Sequence, residues 1–293
     1  MVSYSQLQKD IVSKLKIINN SDDVRDFEAR LIIENVTGLN YSEMIINDHD
    51  IDINIDNNIN SIISKRNTGK PLAYILGHSN FYGLEFNVDD RVLIPRSETE
   101  ELVKKAIDIL KNQEYQPQMV IDIGTGSGAI AVALACNVRN LEVLAIDISS
   151  DALELAQENY KSNTGKMYEN SIIKFLKSDC FNNLDRSLLE KFDLIISNPP
   201  YIAKDEEDTL DDSVKQYEPH IALFAHDEGF AVYEKIIIES VNWLKPGGFL
   251  ILEISPRHTK NIKDFINSCE YSELKIFEDL SKRDRICVAK MPG

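Results

Sequence analysis

Residues 120–128, VIDIGTGSG, decide the fold, because an apolar run of strand length ends here in closely spaced glycines. A stretch of small and apolar residues at 129–135, AIAVALA, follows at once and predicts a helix. Glycines at such a junction let the backbone turn sharply and let a ligand approach without an intervening side chain. The spacing is G-x-G-x-G and not the G-x-G-x-x-G of dinucleotide folds. The candidate cofactor-binding residues of this loop are Gly124, Thr125, Gly126, Ser127 and Gly128.

Strands and helices alternate along the rest of the chain from about residue 98. The pattern predicts strands at 119–123, 143–147, 172–176, 194–197, 249–254 and 285–290. It predicts helices at 98–110, 129–135, 151–161, 230–244 and 258–266. Such alternation is typical of an α/β fold in which a mostly parallel sheet is covered on both faces. Ligands of these sheets bind beyond the carboxyl ends of the strands.

The first 70 residues or so predict a small helical unit. Apolar residues recur at helical spacing, which favours core packing, in the stripes Leu7, Ile11, Leu15; Phe27, Leu31, Ile32; and Ile55, Ile59, Ile62, Ile63. Residues 51–55 also alternate like a strand, so the helix boundary there stays open. The alternation at 84–88, a turn at Asp89-Asp90 and the apolar run 92–94 predict a β-hairpin that connects two folded units.

Two acidic residues follow the second and third strands of the α/β region. Asp147 ends the second strand, roughly twenty residues after the glycine loop, where a carboxylate can accept hydrogen bonds from ribose hydroxyls. A cap on the following helix is the alternative role, and ligand contact is favoured. Asp179 and Cys180 follow the third strand at the level of an adenine ring, and Phe181 next to them fits either that ring or the core.

Residues 198–201, Asn-Pro-Pro-Tyr, close the fourth strand and form the most specific motif in the sequence. Two adjacent prolines fix the backbone and remove two N–H donors, which leaves carbonyl groups free to accept. The Asn198 side-chain oxygen and the Pro199 carbonyl can then accept both hydrogens of a substrate NH₂ group. Tyr201 can stack on a flat substrate. The motif therefore predicts catalysis by positioning, with Asn198, Pro199, Pro200 and Tyr201 as the catalytic and substrate-binding residues.

Composition excludes several classes of protein. The chain of 293 residues is long enough for one large and one small domain, and its formal net charge of −16 argues against the basic face that DNA and structured RNA require. Its four cysteines never form a C-x-x-C, so neither a zinc site nor a disulfide framework is indicated. We expect no metal, no stable nucleic-acid partner and no membrane association. The residues after Met1 lack a signal-peptide core, which predicts a cytoplasmic protein.

Three further segments make the sequence resemble the release factor glutamine methyltransferases, the PrmC/HemK family. They are KPLAYILG at 70–77, FYGLEF at 81–86 and LIPRSETE at 93–100. The resemblance implies a helical N-terminal domain for recognition of the release factor at 1–77, a β-hairpin linker at 78–96, and a seven-stranded catalytic domain at 97–293. It also implies S-adenosyl-L-methionine as methyl donor, held by Gly124–Gly128 and Asp147, with Cys180 at the adenine pocket. Asn198 would touch both cofactor and substrate.

Two other functions compete with this hypothesis. A DNA adenine-N6 or RNA base methyltransferase uses the same Asn-Pro-Pro-Tyr motif on an exocyclic amine, but it needs base access and a basic groove. A catalytically inactive S-adenosylmethionine-binding protein is the third class, and the intact glycine loop, Asp147 and 198–201 speak against it.

Overall fold

The structure, a computed structural model, describes residues 2–16, 21–47, 50–51, 56–112 and 117–293. The chain forms two compact units. The first comprises Met1–His78 together with Asp211–Tyr217, and the second comprises Ser79–Leu210 and Glu218–Gly293.

The first unit is helical, as the stripes of apolar residues predict. Its helices are Tyr4–Lys14, Asp22–Thr37, Tyr41–Asn47, Asp56–Arg66, Leu72–Leu76 and the returning segment Asp212–Tyr217. Strand β1 (Val2–Ser3) pairs with β2 (Asp50–Ile51). Residues 52–55, the rest of the alternating stretch, lie outside the described residues. Most stripe positions, including Ile11 and Ile32, are buried in one core.

Phe27 is an exception, because 51% of it is exposed and its prediction as a core residue was wrong. The second helix buries Ala29, Ile32 and Ile33, so its core face is turned away from Phe27. A buried ion pair lies on the same side as this core: the Arg66 Nε and Nη2 atoms each donate to the Glu28 carboxylate at 2.9 Å. Such a bidentate pair satisfies both charged groups away from water.

The hairpin lies earlier in the chain than predicted. Strand β3 (His78–Phe81) pairs with β4 (Leu84–Asn87), and the connecting residues Tyr82 and Gly83 both have positive φ, at 52° and 73°. Positive φ at both central residues is the geometry of the type I′ turn, one of the two common two-residue hairpin turns. Residues 89–90 are therefore not the hairpin turn, and 92–94 form no strand. The side chains of Phe81 and Phe86 are buried in the core of the second unit.

A seven-stranded sheet organises the second unit, as predicted. Its strands are β5 (Gln118–Ile123), β6 (Leu141–Asp147), β7 (Ile172–Lys177), β8 (Phe192–Ser197), β9 (Leu244–Glu253), β10 (Glu273–Glu278) and β11 (Asp284–Lys290). They lie in the order β10-β11-β9-β8-β5-β6-β7, and β11 runs antiparallel to both of its neighbours. The other pairs are parallel. Apolar residues form a separate core cluster on each face of the sheet.

The α-helices of this unit are Ser97–Lys111, Ala129–Asn137, Ser150–Asn163, His220–Leu223, His226–Gly229, Ala231–Ser240 and Thr259–Ser268. The two largest differences from the predicted boundaries lie close together: the helix after Phe230 ends at Ser240, and Leu244 already begins β9. The strand order reverses between β5 and β8, since β6 and β7 lie on one side of β5 while β8 and β9 lie on the other. Ligands of open α/β sheets bind at such a reversal, outside the carboxyl ends of the strands.

Candidate active site

The glycine loop and the Asn-Pro-Pro-Tyr motif begin side by side at this reversal. Ile123, the last residue of β5, is paired in register with Ser197, the last residue of β8. The Ser197 hydroxyl donates to the Ile123 carbonyl at 2.7 Å and links the two strand ends. Gly124 and Asn198 therefore leave the sheet at the same level, on adjacent strands.

A cavity of about 420 Å³ opens at this point. This volume lies in the range of small-molecule sites, about 300–1,000 Å³. Ten of the predicted site residues line it: Gly124, Thr125, Gly126, Ser127, Asp147, Asp179, Cys180, Asn198, Pro199 and Pro200. Gly128 and Tyr201 do not line it. The structure thus brings together the residues from four different strand ends that the sequence singled out separately.

Asp147 holds the glycine loop in place. The Gly126 N–H donates to its Oδ2 atom at 2.9 Å, and the Ser149 N–H donates to its Oδ1 atom at 2.9 Å. Each carboxylate oxygen keeps a second lone pair for a ligand hydroxyl. Burial raises the pKa of Asp147, because a charged carboxylate loses hydration there. A Cβ added at Gly126 would contact no protein atom within 4 Å, so the space beside the loop is open.

Gly128 has a packing role. Its φ is +80°, and a Cβ built there would lie 3.2 Å from the Ala156 Cβ atom. The residue precedes the helix Ala129–Asn137, so the missing side chain lets that helix approach the helix Ser150–Asn163. This glycine sets helix packing behind the loop.

Asp122 is a buried carboxyl group directly behind the loop. The Thr125 hydroxyl donates to its Oδ2 atom at 2.6 Å, while Oδ1 has no hydrogen-bond partner in the described part of the chain. Complete burial, with a smaller contribution from the nearby Asp147 carboxylate, raises the pKa of Asp122 to about 7. Asp122 was predicted only as a strand residue, although a carboxylate inside an apolar strand was a visible signal.

Asp179 and Cys180 form the wall of the cavity after β7. The Asp179 carboxylate lies 2.8 Å from the Lys235 Nζ atom, in a half-exposed ion pair. Burial raises the pKa of the Cys180 thiol to about 12, so the group stays protonated and non-nucleophilic at neutral pH. Phe181 belongs to the core, where its ring stacks on Trp243 at a centroid distance of 5.7 Å.

Asn198 is held by a chain of buried polar groups. Its Nδ2 atom donates to the Thr99 Oγ1 atom at 3.1 Å, and the Thr99 hydroxyl donates to the Glu253 Oε2 atom at 2.7 Å. Glu253 ends strand β9 and is 2% exposed. Since Nδ2 is engaged by Thr99, Oδ1 is the end of the amide that is left to accept from a ligand.

Tyr201 supports the motif from behind. Its ring stacks on Tyr233 with an interplanar angle of 8° and a centroid distance of 6.5 Å. The Tyr201 carbonyl is 3.3 Å from the His258 Nε2 atom. A Cβ added at Gly229, where φ is +87°, would lie 2.3 Å from that same carbonyl oxygen. The Tyr201 carbonyl, which follows the two prolines, is thus in close contact with both Gly229 and His258.

Comparison with known sequences identifies the chain. Residues 6–77 match the PrmC N-terminal domain and residues 103–216 match the methyltransferase small domain. The release factor glutamine methyltransferase of Francisella tularensis is 36% identical over 292 residues, which cover 99% of this chain and 98% of that protein. The chain belongs to the release factor glutamine methyltransferase family.

Other members of the release factor glutamine methyltransferase family match over shorter spans. The protein from Streptococcus pneumoniae is 47% identical over 63% of this chain, and that from Fusobacterium nucleatum is 40% identical over 75%. The alignments span 62% and 60% of those two proteins.

Solved structures confirm the methyltransferase fold. A methyltransferase from Pyrococcus furiosus has a TM-score of 0.50 at 19% identity and covers 73% of this chain and 91% of its own. The 16S rRNA methyltransferase RsmC of T. Thermophilus, solved with AdoMet and guanosine, has a TM-score of 0.52 at 16% identity and covers 73% of this chain and 49% of its own.

Several residues that line the cavity were not found from the motifs. Thr99 and Arg96 line it from the start of the helix Ser97–Lys111, and Ala222, Phe224 and His226 line it from the segment after Pro219. Thr99 carried a signal, because it falls on the apolar face that contains Leu102, Val103 and Ala106.

The described part of the chain shows neither a metal-binding cluster nor a membrane-spanning helix. No group of three or more potential ligands that could hold a metal ion occurs within residues 2–16, 21–47, 50–51, 56–112 and 117–293. Over the same residues, no helix combines the length and apolar character needed to cross a bilayer.

Proposed function

We propose that this protein transfers a methyl group from S-adenosyl-L-methionine to the N5 atom of a glutamine side chain in peptide chain release factors. The observation that carries this proposal is the Asn198 amide, held by Thr99 through Nδ2 so that Oδ1 is left as an acceptor beside the glycine loop. Family membership supports the substrate, because the relatives from three genera are named release factor glutamine methyltransferases.

The residues of the loop fit an adenosyl ligand. Gly124, Gly126 and Ser127 line open space at a strand end, and Asp147 offers acceptor lone pairs to ribose hydroxyls. We assign the adenine side of the pocket to Asp179 and Cys180. S-Adenosyl-L-methionine supplies a methyl group on a positively charged sulfur when it is bound. We assign no metal to the reaction.

The chain's own contribution is positioning. An amide nitrogen is a poor nucleophile because its lone pair is delocalised. The Asn198 Oδ1 atom and the Pro199 carbonyl accept the two N–H hydrogens, which holds the nitrogen and favours pyramidalisation. Pro200 stiffens the backbone between these acceptors and Tyr201. The stacked pair Tyr201–Tyr233 then supports the backbone that carries the acceptors.

A direct test compares substrates. The purified protein, incubated with radiolabelled S-adenosyl-L-methionine, should label a purified release factor and leave DNA and rRNA unlabelled. Tandem mass spectrometry should place one added methyl group on a glutamine side chain. If the label appeared on DNA or rRNA and not on the release factor, the proposal would be overturned.

Asp147 provides a test of the cofactor assignment. We expect Asp147→Ala to weaken S-adenosylhomocysteine binding by about 10- to 100-fold, since a hydrogen bond to a charged group contributes about 1.5–3 kcal/mol. Calorimetry measures the affinity. Asp151→Ala is the matched control, because Asp151 is an exposed carboxylate four residues further along the chain, in the first turn of the helix Ser150–Asn163. Equal affinities for the wild type and Asp147→Ala would show that Asp147 does not contact the ligand.

We propose that the first unit recognises the release factor. Specific recognition of a protein buries about 800 Å² per partner, more than a single glutamine side chain supplies. The exposed Phe27 ring lies in this unit, with the Arg30 guanidinium 5.0 Å from its centre. Arg30 also lies 5.2 Å from the centre of the Tyr41 ring, so these three side chains form a continuous surface.

Phe27→Ser tests this role. We expect kcat/KM on the whole release factor to fall about tenfold, which corresponds to about 1.4 kcal/mol, with little change on a short glutamine-containing peptide. Leu280→Ser is the control, because Leu280 is an exposed apolar residue of the second unit. Equal losses on peptide and protein would assign Phe27 a structural role instead.

A further inference from the structure

We propose that Thr99 and Glu253 are positioning residues that fix which end of the Asn198 amide faces the substrate. They form one unbranched chain, in which Asn198 Nδ2 lies 3.1 Å from Thr99 Oγ1 and Thr99 Oγ1 lies 2.7 Å from Glu253 Oε2. The inference deepens the proposed function and rests on it only for the role of Asn198 as substrate acceptor.

The direction of this chain follows from its hydrogens. A carboxylate can only accept, so an ionised Glu253 requires the single hydroxyl hydrogen of Thr99. The Thr99 oxygen then has only lone pairs to offer, and it must receive a hydrogen from Asn198. Only the NH₂ end of the amide has one. The ionised carboxylate therefore determines the orientation of the Asn198 amide.

Protonation of Glu253 removes this constraint. A neutral carboxyl group can donate to Thr99, and Thr99 can then donate to Asn198 Oδ1, so the flipped amide becomes equally compatible with the chain. In the flipped state the Asn198 NH₂ group meets the NH₂ group of the substrate, so only the Pro199 carbonyl is left to accept from it. Burial raises the pKa of Glu253 to about 7, so this change falls near neutral pH.

Several groups act on Glu253 from the elements packed around it: Arg96 and Glu98 at the start of the helix Ser97–Lys111, Arg285 on β11, and Tyr201 and Tyr233. Burial raises the pKa of Tyr201 to about 12 and the pKa of Tyr233 well above its ordinary value. Neither tyrosine therefore changes charge near neutral pH. Glu98 is exposed and raises the pKa of Glu253 through its own negative charge.

The sign of the pH effect follows from the raised pKa. Above about 7 the carboxylate is ionised and the amide is fixed, whereas below it the amide is free to flip. Turnover at saturating substrate should therefore rise as the pH rises through this value. Burial also raises the pKa of Asp122 to about 7, so the kcat profile alone does not separate the two carboxyl groups.

A spectroscopic test does separate them and needs no methyl acceptor. In protein labelled with ¹⁵N at asparagine, the side-chain NH₂ resonance that disappears in Asn198→Ala is followed against pH. We expect this resonance to shift with a midpoint near 7 in the wild type and to stay constant in Glu253→Gln. Asp122→Asn should keep the shift. A wild-type Asn198 resonance that does not move through this range would overturn the proposal without any variant.

Kinetics complete the test. Thr99→Val removes the hydroxyl at nearly constant volume, and we expect kcat to fall by at least about tenfold with the KM for S-adenosyl-L-methionine little changed, since misplacement of a reacting group costs up to about 10²-fold. Thr99→Ser restores the hydroxyl and should recover most of that loss. Glu98→Gln should keep the acid limb but move it to lower pH, because a repulsive charge is removed while the chain stays intact.

The outcomes distinguish the two proposals. A wild-type protein that fails to methylate a release factor contradicts the proposed function, while the Asn198 resonance still reports on the chain. If the wild type is active, two results contradict the positioning role alone. One is full kcat in Thr99→Val, and the other is an Asn198 resonance that still shifts with pH in Glu253→Gln. Ser240→Ala controls for lost stability. It removes a buried hydroxyl that lies 2.6 Å from Tyr271 Oη and outside the site.

Discussion

Asn198→Ala should reduce the turnover of release-factor methylation by about 10²- to 10³-fold, the usual cost of removing one positioned polar group from an active site. The variant loses the Oδ1 acceptor while the glycine loop and Asp147 are unchanged. Single-turnover rates with radiolabelled S-adenosyl-L-methionine measure the effect, and calorimetry with S-adenosylhomocysteine should give an affinity close to that of the wild type.

Asn137→Ala is the matched control for this substitution. The Asn137 Nδ2 atom also donates a partly buried hydrogen bond, of 2.9 Å to the Ala133 carbonyl. Asn137 lies at the far end of the helix that follows the glycine loop. Its turnover should stay at the wild-type level. Near-wild-type turnover of Asn198→Ala would remove the central residue from the proposed mechanism.

Gly229→Ala should reduce turnover by about 10²-fold although Gly229 contacts no substrate, because a 1 Å misplacement of reacting groups costs on this order. The added Cβ would lie 2.3 Å from the Tyr201 carbonyl oxygen and 3.0 Å from His258 Nε2. The backbone at Tyr201 must then move. The two prolines before it are stiff, so the shift reaches the Pro199 carbonyl and Asn198.

Gly247→Ala separates this displacement from backbone strain. Gly247 also has a positive φ, +76°, but a Cβ there would contact nothing within 4 Å. Both variants should lose about 1–3 kcal/mol of unfolding free energy in urea titrations, since both force a side chain into an unfavourable backbone region. Only Gly229→Ala should lose turnover. Equal turnover in the two variants would contradict the inference that displacement of the Tyr201 backbone lowers turnover.

The fold of the second unit could be predicted because its central strands are buried on both faces. Strands β5 and β8 are mostly apolar runs that end in the glycine loop and in the Asn-Pro-Pro-Tyr motif. Six of the seven strands were predicted. β10 was missed because Glu273–Glu278 lies at the sheet edge, where most positions are exposed or half-exposed and charges replace the apolar run. Edge strands carry charges of this kind to avoid pairing with other chains.

The hairpin and Phe27 show two other limits of sequence interpretation. Two aspartates at 89–90 look like a turn, yet the turn lies at Tyr82-Gly83, where the tyrosine has an uncommon positive φ. Phe27 lies at helical spacing from Leu31, but the helix turns a neighbouring face to the core. Periodicity gives the width of an apolar face and not its centre when apolar residues occur on both flanks.

The polar chain behind Asn198 was beyond prediction from motifs. Thr99 and Glu253 are separated by 154 positions in the sequence and come together only because the helix Ser97–Lys111 packs on β9. A motif describes residues that are neighbours in the chain, whereas this contact depends on the tertiary packing of two elements. A threonine on the apolar face of a helix and a carboxylate at the end of an apolar strand were nevertheless unusual enough to mark them.

The division of the chain into units has a consequence for synthesis on the ribosome. The first unit includes Asp211–Tyr217, and the Tyr217 hydroxyl lies 3.3 Å from Thr68 Oγ1. Domains generally fold during translation, N-terminal first. Here the leading unit emerges long before its last helix is made, so it completes its packing only after β5 to β8 have been translated. Co-translational folding of the two units is therefore interleaved in time.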